Sequence, residues 1–299
     1  MRKFAGLCAA LGCVGAGAVD ADEAAWHEME AGGYTVLSQL DERDTRYWVT
    51  YFDQFVAAMS GALEIRGAKR PPLTVVLFEK QSDLLAVSPP HAAGCGAGPE
   101  GPHVLAFAAD APEAARRALF HAGAHWITAS GVPQPAWLDE GLAQLFASFG
   151  RKGMQVHWGD SLGDAVALLK ARGPIPMDSF LKAEGHVGED PALYHAQALV
   201  VTHWLMIGRH ADALGRYLST WRSQGEAAAL EATFADGPEA LTQALQSYVE
   251  RPAFASAARP RQISEQRYLM TPASPARLGR ALALLGGPER RPVQAFNAP

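Results

Sequence analysis

Two hydrophobic rhythms take turns along the first part of the chain. Tyr34-Thr35-Val36-Leu37 has strand composition, and from Asp41 onward Trp48, Phe52, Phe55 and Met59 recur at spacings of four and three, which predicts one amphipathic helix ending near Gly61. Behind Pro71-Pro72 the run Leu73 to Phe78 is β-branched and of strand length. After a polar, Gly- and Pro-rich loop from Ser88 to Pro102, His103 to Ala108 reads as another short strand. Ala111 to Ser130 predicts a helix, with Pro112 in its first turn and Leu119, Phe120, Ala124 and Ile127 packing inward. A turn marked by Gly131, Pro133 and Pro135 leads into a second apolar-periodic helix from Trp137 to Ala143. From Asp190 the pattern is helical: Leu193, Leu199, Val200, Trp204 and Leu205 fall on helical faces, and Ala213 to Trp221, Glu226 to Phe234 and Pro238 to Tyr248 repeat the theme.

The predicted class is therefore α+β. Residues 22–150 form a mixed part with a sheet and the two helices just described, and residues 151–255 a helical part. Residues 256–299, with scattered prolines and one apolar stretch from Leu278 to Leu285, read as an irregular or partly helical tail. With 48% hydrophobic and 19% charged residues, 299 residues can bury a sizeable core, which excludes a disordered chain. Twenty-six Lys and Arg against 31 Asp and Glu give a net charge of -5, which argues against a nucleic-acid partner.

The N-terminus has its own logic. Met1-Arg2-Lys3 followed by the small, apolar run Phe4 to Val19 reads as a signal peptide over residues 1–21, with cleavage after Ala18 or Ala21, and as too brief and Gly-rich for a transmembrane helix. The expected location is periplasmic or secreted. Ala10-Leu11-Gly12-Cys13 is an imperfect lipoprotein box, which leaves a lipid anchor at Cys13 as an alternative. Removal of Cys8 and Cys13 with the signal peptide leaves Cys95 alone, so no internal disulfide is expected.

The chemistry concentrates at His121-Ala122-Gly123-Ala124-His125. Imidazoles four residues apart on a helix are separated by about 400°, or about 40° around the axis, so both can reach one ion. Glu140 follows His125 by 15 residues in the next helix. An antiparallel helix pair with such a connection can bring its carboxylate beside the two rings, giving a His₂Glu set that leaves one zinc position open.

These residues resemble the gluzincin metallopeptidases, in particular the peptidase MA-like domain family of bacterial proteins, in which an HExxH helix precedes a P-x-WL-x-EG-LA helix, here Pro135-Ala136-Trp137-Leu138-Asp139-Glu140-Gly141-Leu142-Ala143. Tyr34 to Phe78 resembles the family's N-terminal strand, helix and strand. Tyr194-His195-Ala196-Gln197 resembles its Tyr-x-x-Gln helix, so the likeness covers about residues 26–250. The resemblance implies a gluzincin-like fold over residues 22–255 and Zn²⁺ held by His121, His125 and Glu140. It also implies a peptide-pairing edge strand at His103 to Ala108 and a Tyr194 that approaches the open metal position to stabilise an oxyanion.

One position departs from the pattern: Ala122 stands where HExxH has the glutamate that takes a proton from the attacking water. A positioned general base is worth roughly 10²- to 10⁴-fold in rate, while the ligands themselves are untouched. No substitute base is visible. Asp139 diverges from Glu140 by about 100°, and Glu113 is two turns upstream of His121. Gln144, four after Glu140, is placed to receive a ring N–H from a ligand histidine. Of the other histidines, only His195, beside Tyr194, is set apart; the rest read as surface or hydrogen-bonded core residues. Trp48, Tyr51, Phe52 and Phe55 read as core, and Gly94, Gly96, Gly98 and Gly101 as a flap over the cleft with no phosphate-loop signature. The expected function is a degenerate peptidase that keeps the metal site and binds a peptide or protein. An active zinc peptidase with an unconventional base, or a non-catalytic envelope-associated domain, are the alternatives.

Overall fold

A computed structural model describes residues 26–63, 70–88, 94–96, 103–129, 133–160, 162–182, 190–208, 210–251, 253–262 and 268–286. The signal-peptide and Cys13 readings lie outside the described residues. In chain order the elements are β1 (His27–Ala31), β2 (Tyr34–Ser38), α1 (Glu42–Ala62), β3 (Leu73–Phe78), α2 (Gln81–Val87), β4 (Gly94–Gly96), β5 (His103–Ala108), α3 (Glu113–Thr128), α4 (Ala136–Ala147), β6 (Gly150–Lys152) and β7 (Gln155–Trp158). They continue with α5 (Gly163–Arg172), α6 (Met177–Lys182), α7 (Pro191–Met206), α8 (Ala211–Gln224), α9 (Glu226–Thr233), α10 (Gly237–Val249), β8 (Ala257–Pro260), β9 (Met270–Pro272) and α11 (Pro275–Gly286).

The main sheet runs β4-β5-β3-β2-β1-β9. β2, β3 and β5 are parallel, and antiparallel strands flank them. The apolar runs Val75 to Phe78 in β3 and Val104 to Ala108 in β5 follow from burial on both faces. Val36, Val75, Leu77, Leu105 and Phe107 pack into the core that holds Phe52 and Phe55 of α1 and Leu119 and Phe120 of α3. Leu37, Val76, Phe78, Val104 and Ala106 point the other way, onto Leu84 of α2 and Ala281 and Leu285 of α11. α1 begins where Asp41 caps it, its side chain accepting from the Asp44 N–H at 2.8 Å.

The class is mixed α+β, with an N-terminal mixed sheet followed by helices, and three expectations change in detail. The second half is not all helical: β6 and β7 form a hairpin that turns at Gly153 (φ +59°), and β8 joins it from about a hundred residues downstream. Residues 256–299 contribute β8, β9 and α11, so the end of the chain finishes both sheets and covers the back of the larger one. The strand His103 to Ala108 is not an edge: β3 pairs with it on one side, and Gly94–Gly96, expected to belong to a flap, pairs with His103, Val104 and Leu105 on the other. The rest of the expected flap, including Gly98 and Gly101, lies outside the described residues.

Helix α7 is buried nearly all round, as a helix at the centre of a bundle must be. It crosses α4 at Gly141, where an added Cβ would collide with the Ala198 carbonyl oxygen and Thr202 Oγ1. Among the described residues no helix is long and apolar enough to cross a membrane.

A chain ending at residue 262 would lose β9 and α11 and expose Val76, Phe78 and Val104 to water. Its thermal unfolding midpoint should fall well below that of the full chain, with increased aggregation; an unchanged midpoint would show that these elements do not support the sheet.

Candidate metal centre

α3 turns Leu119, Phe120, Ala124 and Ile127 into the core, as their spacing predicts, and this leaves His121 and His125 side by side, with ring centroids 4.9 Å apart. α4 is anchored by fully buried Trp137 and Leu138 and presents Glu140 to both rings. Its Oε1 lies 3.3 Å from His121 Nε2 and its Oε2 3.6 Å from His125 Nε2. One donor atom from each of His121, His125 and Glu140 lies within 4.8 Å of the other two, so the three residues can hold a metal ion.

The neighbours complete the arrangement. Asp139 turns away from the ligand atoms, as the step of about 100° requires, and that turn takes its Oδ2 to His125 Nδ1 at 2.8 Å. With Nδ1 held by a carboxylate, Nε2 is the nitrogen left to face Glu140. This carboxylate–imidazole pair is the partner arrangement that fixes tautomer and ring orientation in metal sites. Gln144 differs from expectation: its Nε2 donates to Glu140 Oε1 at 2.7 Å rather than receiving a histidine N–H. The two residues are four apart on α4, so the amide meets its own helix neighbour before it can reach the rings on α3.

His195 is the residue whose role the sequence did not disclose. Its Nδ1 lies 2.7 Å from Glu140 Oε1, so the carboxylate of Glu140 faces three imidazoles. The signal available was its position beside Tyr194; what was missing was the depth of the α4–α7 crossing, which Gly141 permits. Tyr194 is only 3% exposed, packs on Phe180 and has no hydrogen-bond partner for its hydroxyl among the described residues. Burial, and then the charges of Glu140 and Asp139, push it up to about 12. Gln197 of the same segment clamps the backbone of Ile175, donating to its carbonyl at 2.9 Å and accepting from its N–H at 2.7 Å. Ala122 is buried and brings a methyl group to the position where a base was sought.

The electrostatics are those of a cation site. Burial raises the Glu140 carboxyl, but hydrogen bonds from His121, His125 and His195 outweigh it and hold the group far below the usual carboxylate range. Burial lowers His125, but Asp139 and Glu140 outweigh it and push the ring up to about 10. His121 is lowered, with burial the largest cause. The pocket thus favours positive charge between two carboxylates, and a metal ion on His125 Nε2 would replace a proton there. The His121, Glu140 and His195 side chains are 13–15% exposed and those of His125 and Asp139 33–34%, so the site opens to water on the His125 side.

No protein-family model matches the chain, and a search of curated proteins finds no match.

If His195 holds Glu140 in place, His195→Ala should weaken metal affinity about 10- to 100-fold, read by competition between the protein and a chelator with zinc as the probe ion. Equal affinities in the two folded proteins would show that the contact has no bearing on the ligand.

Proposed function

We propose that this chain is an exported, gluzincin-like protein of the peptidase MA-like type that keeps a zinc site at His121, His125 and Glu140, lacks the general base, and binds a peptide or protein with little or no cleavage. The observation that carries this reading is the convergence of the three donor atoms, with Asp139 on the remaining nitrogen of His125. Two imidazoles and one carboxylate suit Zn²⁺ better than a hard, oxygen-seeking ion such as Mg²⁺ or Ca²⁺. Export, to the periplasm or outside the cell and with or without a lipid anchor at Cys13, rests on the N-terminal sequence alone.

Zinc bound there would supply Lewis acidity. The chain's own groups orient the site: Asp139 fixes His125, while Gln144 and His195 hold Oε1 of Glu140. Both carboxylates at the site are engaged with imidazoles, and Ala122 offers no proton acceptor. That deficit corresponds to roughly 10²- to 10⁴-fold in rate. A peptide would enter on the exposed His125 side, since β4 already occupies the edge of β5 over His103, Val104 and Leu105. The reading as an active peptidase with another base is favoured by one observation: His195 brings a third imidazole to the site.

Metal analysis of protein purified without chelator should find close to one zinc per chain, lost in His121→Ala and Glu140→Ala; metal-free unmutated protein would leave only the structural-domain reading. Restoring a carboxylate in Ala122→Glu should raise zinc-dependent hydrolysis of a broad peptide library by about 10²-fold or more over the unmutated chain. Efficient turnover by the unmutated chain, abolished in His195→Ala, would instead establish the active reading.

A further inference from the structure

The two oxygens of the Glu140 carboxylate are not equivalent. Oε1 accepts from Gln144 Nε2 at 2.7 Å and from His195 Nδ1 at 2.7 Å. A carboxylate oxygen offers about two lone-pair sites, so these two donors fill it. The contact of Oε1 with His121 Nε2 is longer, 3.3 Å, and it ends once that nitrogen carries a metal in place of a proton. Oε2 faces the other ring: His125 Nε2 lies 3.6 Å from it, on the side where the site opens to water.

The two donors on Oε1 come from different helices. Gln144 is buried and stands four residues after Glu140 on the same face of α4. His195 belongs to α7, whose close approach to α4 is permitted at Gly141. A carboxylate only accepts, so Nδ1 of His195 bears the hydrogen of its contact. Turning Oε1 toward an ion would break both hydrogen bonds in a largely enclosed site, where an unmade bond is costly. A carboxylate restricted to one free oxygen keeps the coordination number low. Two imidazoles, one oxygen and one open position make the four-coordinate set that zinc accepts. Manganese(II), which favours six oxygen-rich positions, gains from a carboxylate that gives both of its oxygens.

Resting on the metal-site reading above, we propose that Gln144 and His195 are positioning residues that confine Glu140 to one metal-binding oxygen, Oε2, and thereby select a four-coordinate ion of the zinc type over manganese(II). The test uses the purified full chain loaded with cobalt(II) as a spectroscopic stand-in for zinc, together with zinc and manganese(II) affinities measured by competition with a chelator. The unmutated chain should show the intense visible absorption of four-coordinate cobalt. In Gln144→Leu combined with His195→Ala, the freed Oε1 should join the ion, so the absorption should weaken toward that of five- or six-coordinate cobalt. The preference for zinc over manganese(II) should narrow about ten-fold or more in the same variant. Either single variant decides the matter if the double one does not fold, circular dichroism serving as the check. Weak absorption in the unmutated chain, or an unchanged spectrum and zinc-to-manganese ratio in the folded variants, would overturn the assignment while leaving the metal site standing. An unmutated chain that takes up neither cobalt nor zinc would overturn the site itself and this assignment with it.

Discussion

The carboxylate of Glu140 sets the terms for everything around it. An ionised group this far from water must be compensated from several directions at once, and it is compensated by imidazoles from two other helices and an amide from its own. α3, α4 and α7 are consequently tied together at one point, and each must be held in depth and rotation by what it packs against. Phe120 and Ile127 do this for α3, Trp137 and Leu138 for α4, and the nearly complete burial of α7 does it for His195.

Close helix approach is the second requirement. Residue 141 sits directly after the central carboxylate, and only the absence of a side chain there lets the backbone of α7 come in at Ala198. The same glycine therefore serves packing and chemistry together: a wider separation of α4 and α7 would leave Glu140 with two rings rather than three.

Much of this was legible in the sequence, and the parts that were not share a cause. β3 and β5 declare themselves because continuous apolar runs of strand length have few other homes, and α1 because its aromatic residues keep a helical spacing over several turns. His121, His125 and Glu140 could be singled out because two of them share a helix face and the third opens the neighbouring helix. β4, β6, β8 and β9 are three or four residues long, too short for any periodicity to register, and the partners of β8 and β9 lie far away in the chain. Asp139 looked excluded because it diverges from Glu140, yet divergence from the ligand atoms is what carries it to the second nitrogen of His125. Gln144 was placed on the correct face but given the wrong partner, since its nearest acceptor was on its own helix.

The pairing of β1 with β9 has a kinetic consequence. β1 acquires its outer neighbour only from β9, and the Trp26 carbonyl accepts from the Ala273 N–H, so contacts of very high sequence separation close the structure. Pairing across such a separation raises the contact order of the fold, which slows folding. A ribosome still making this protein therefore carries a main sheet without one of its outer strands until residues 270–272 have emerged.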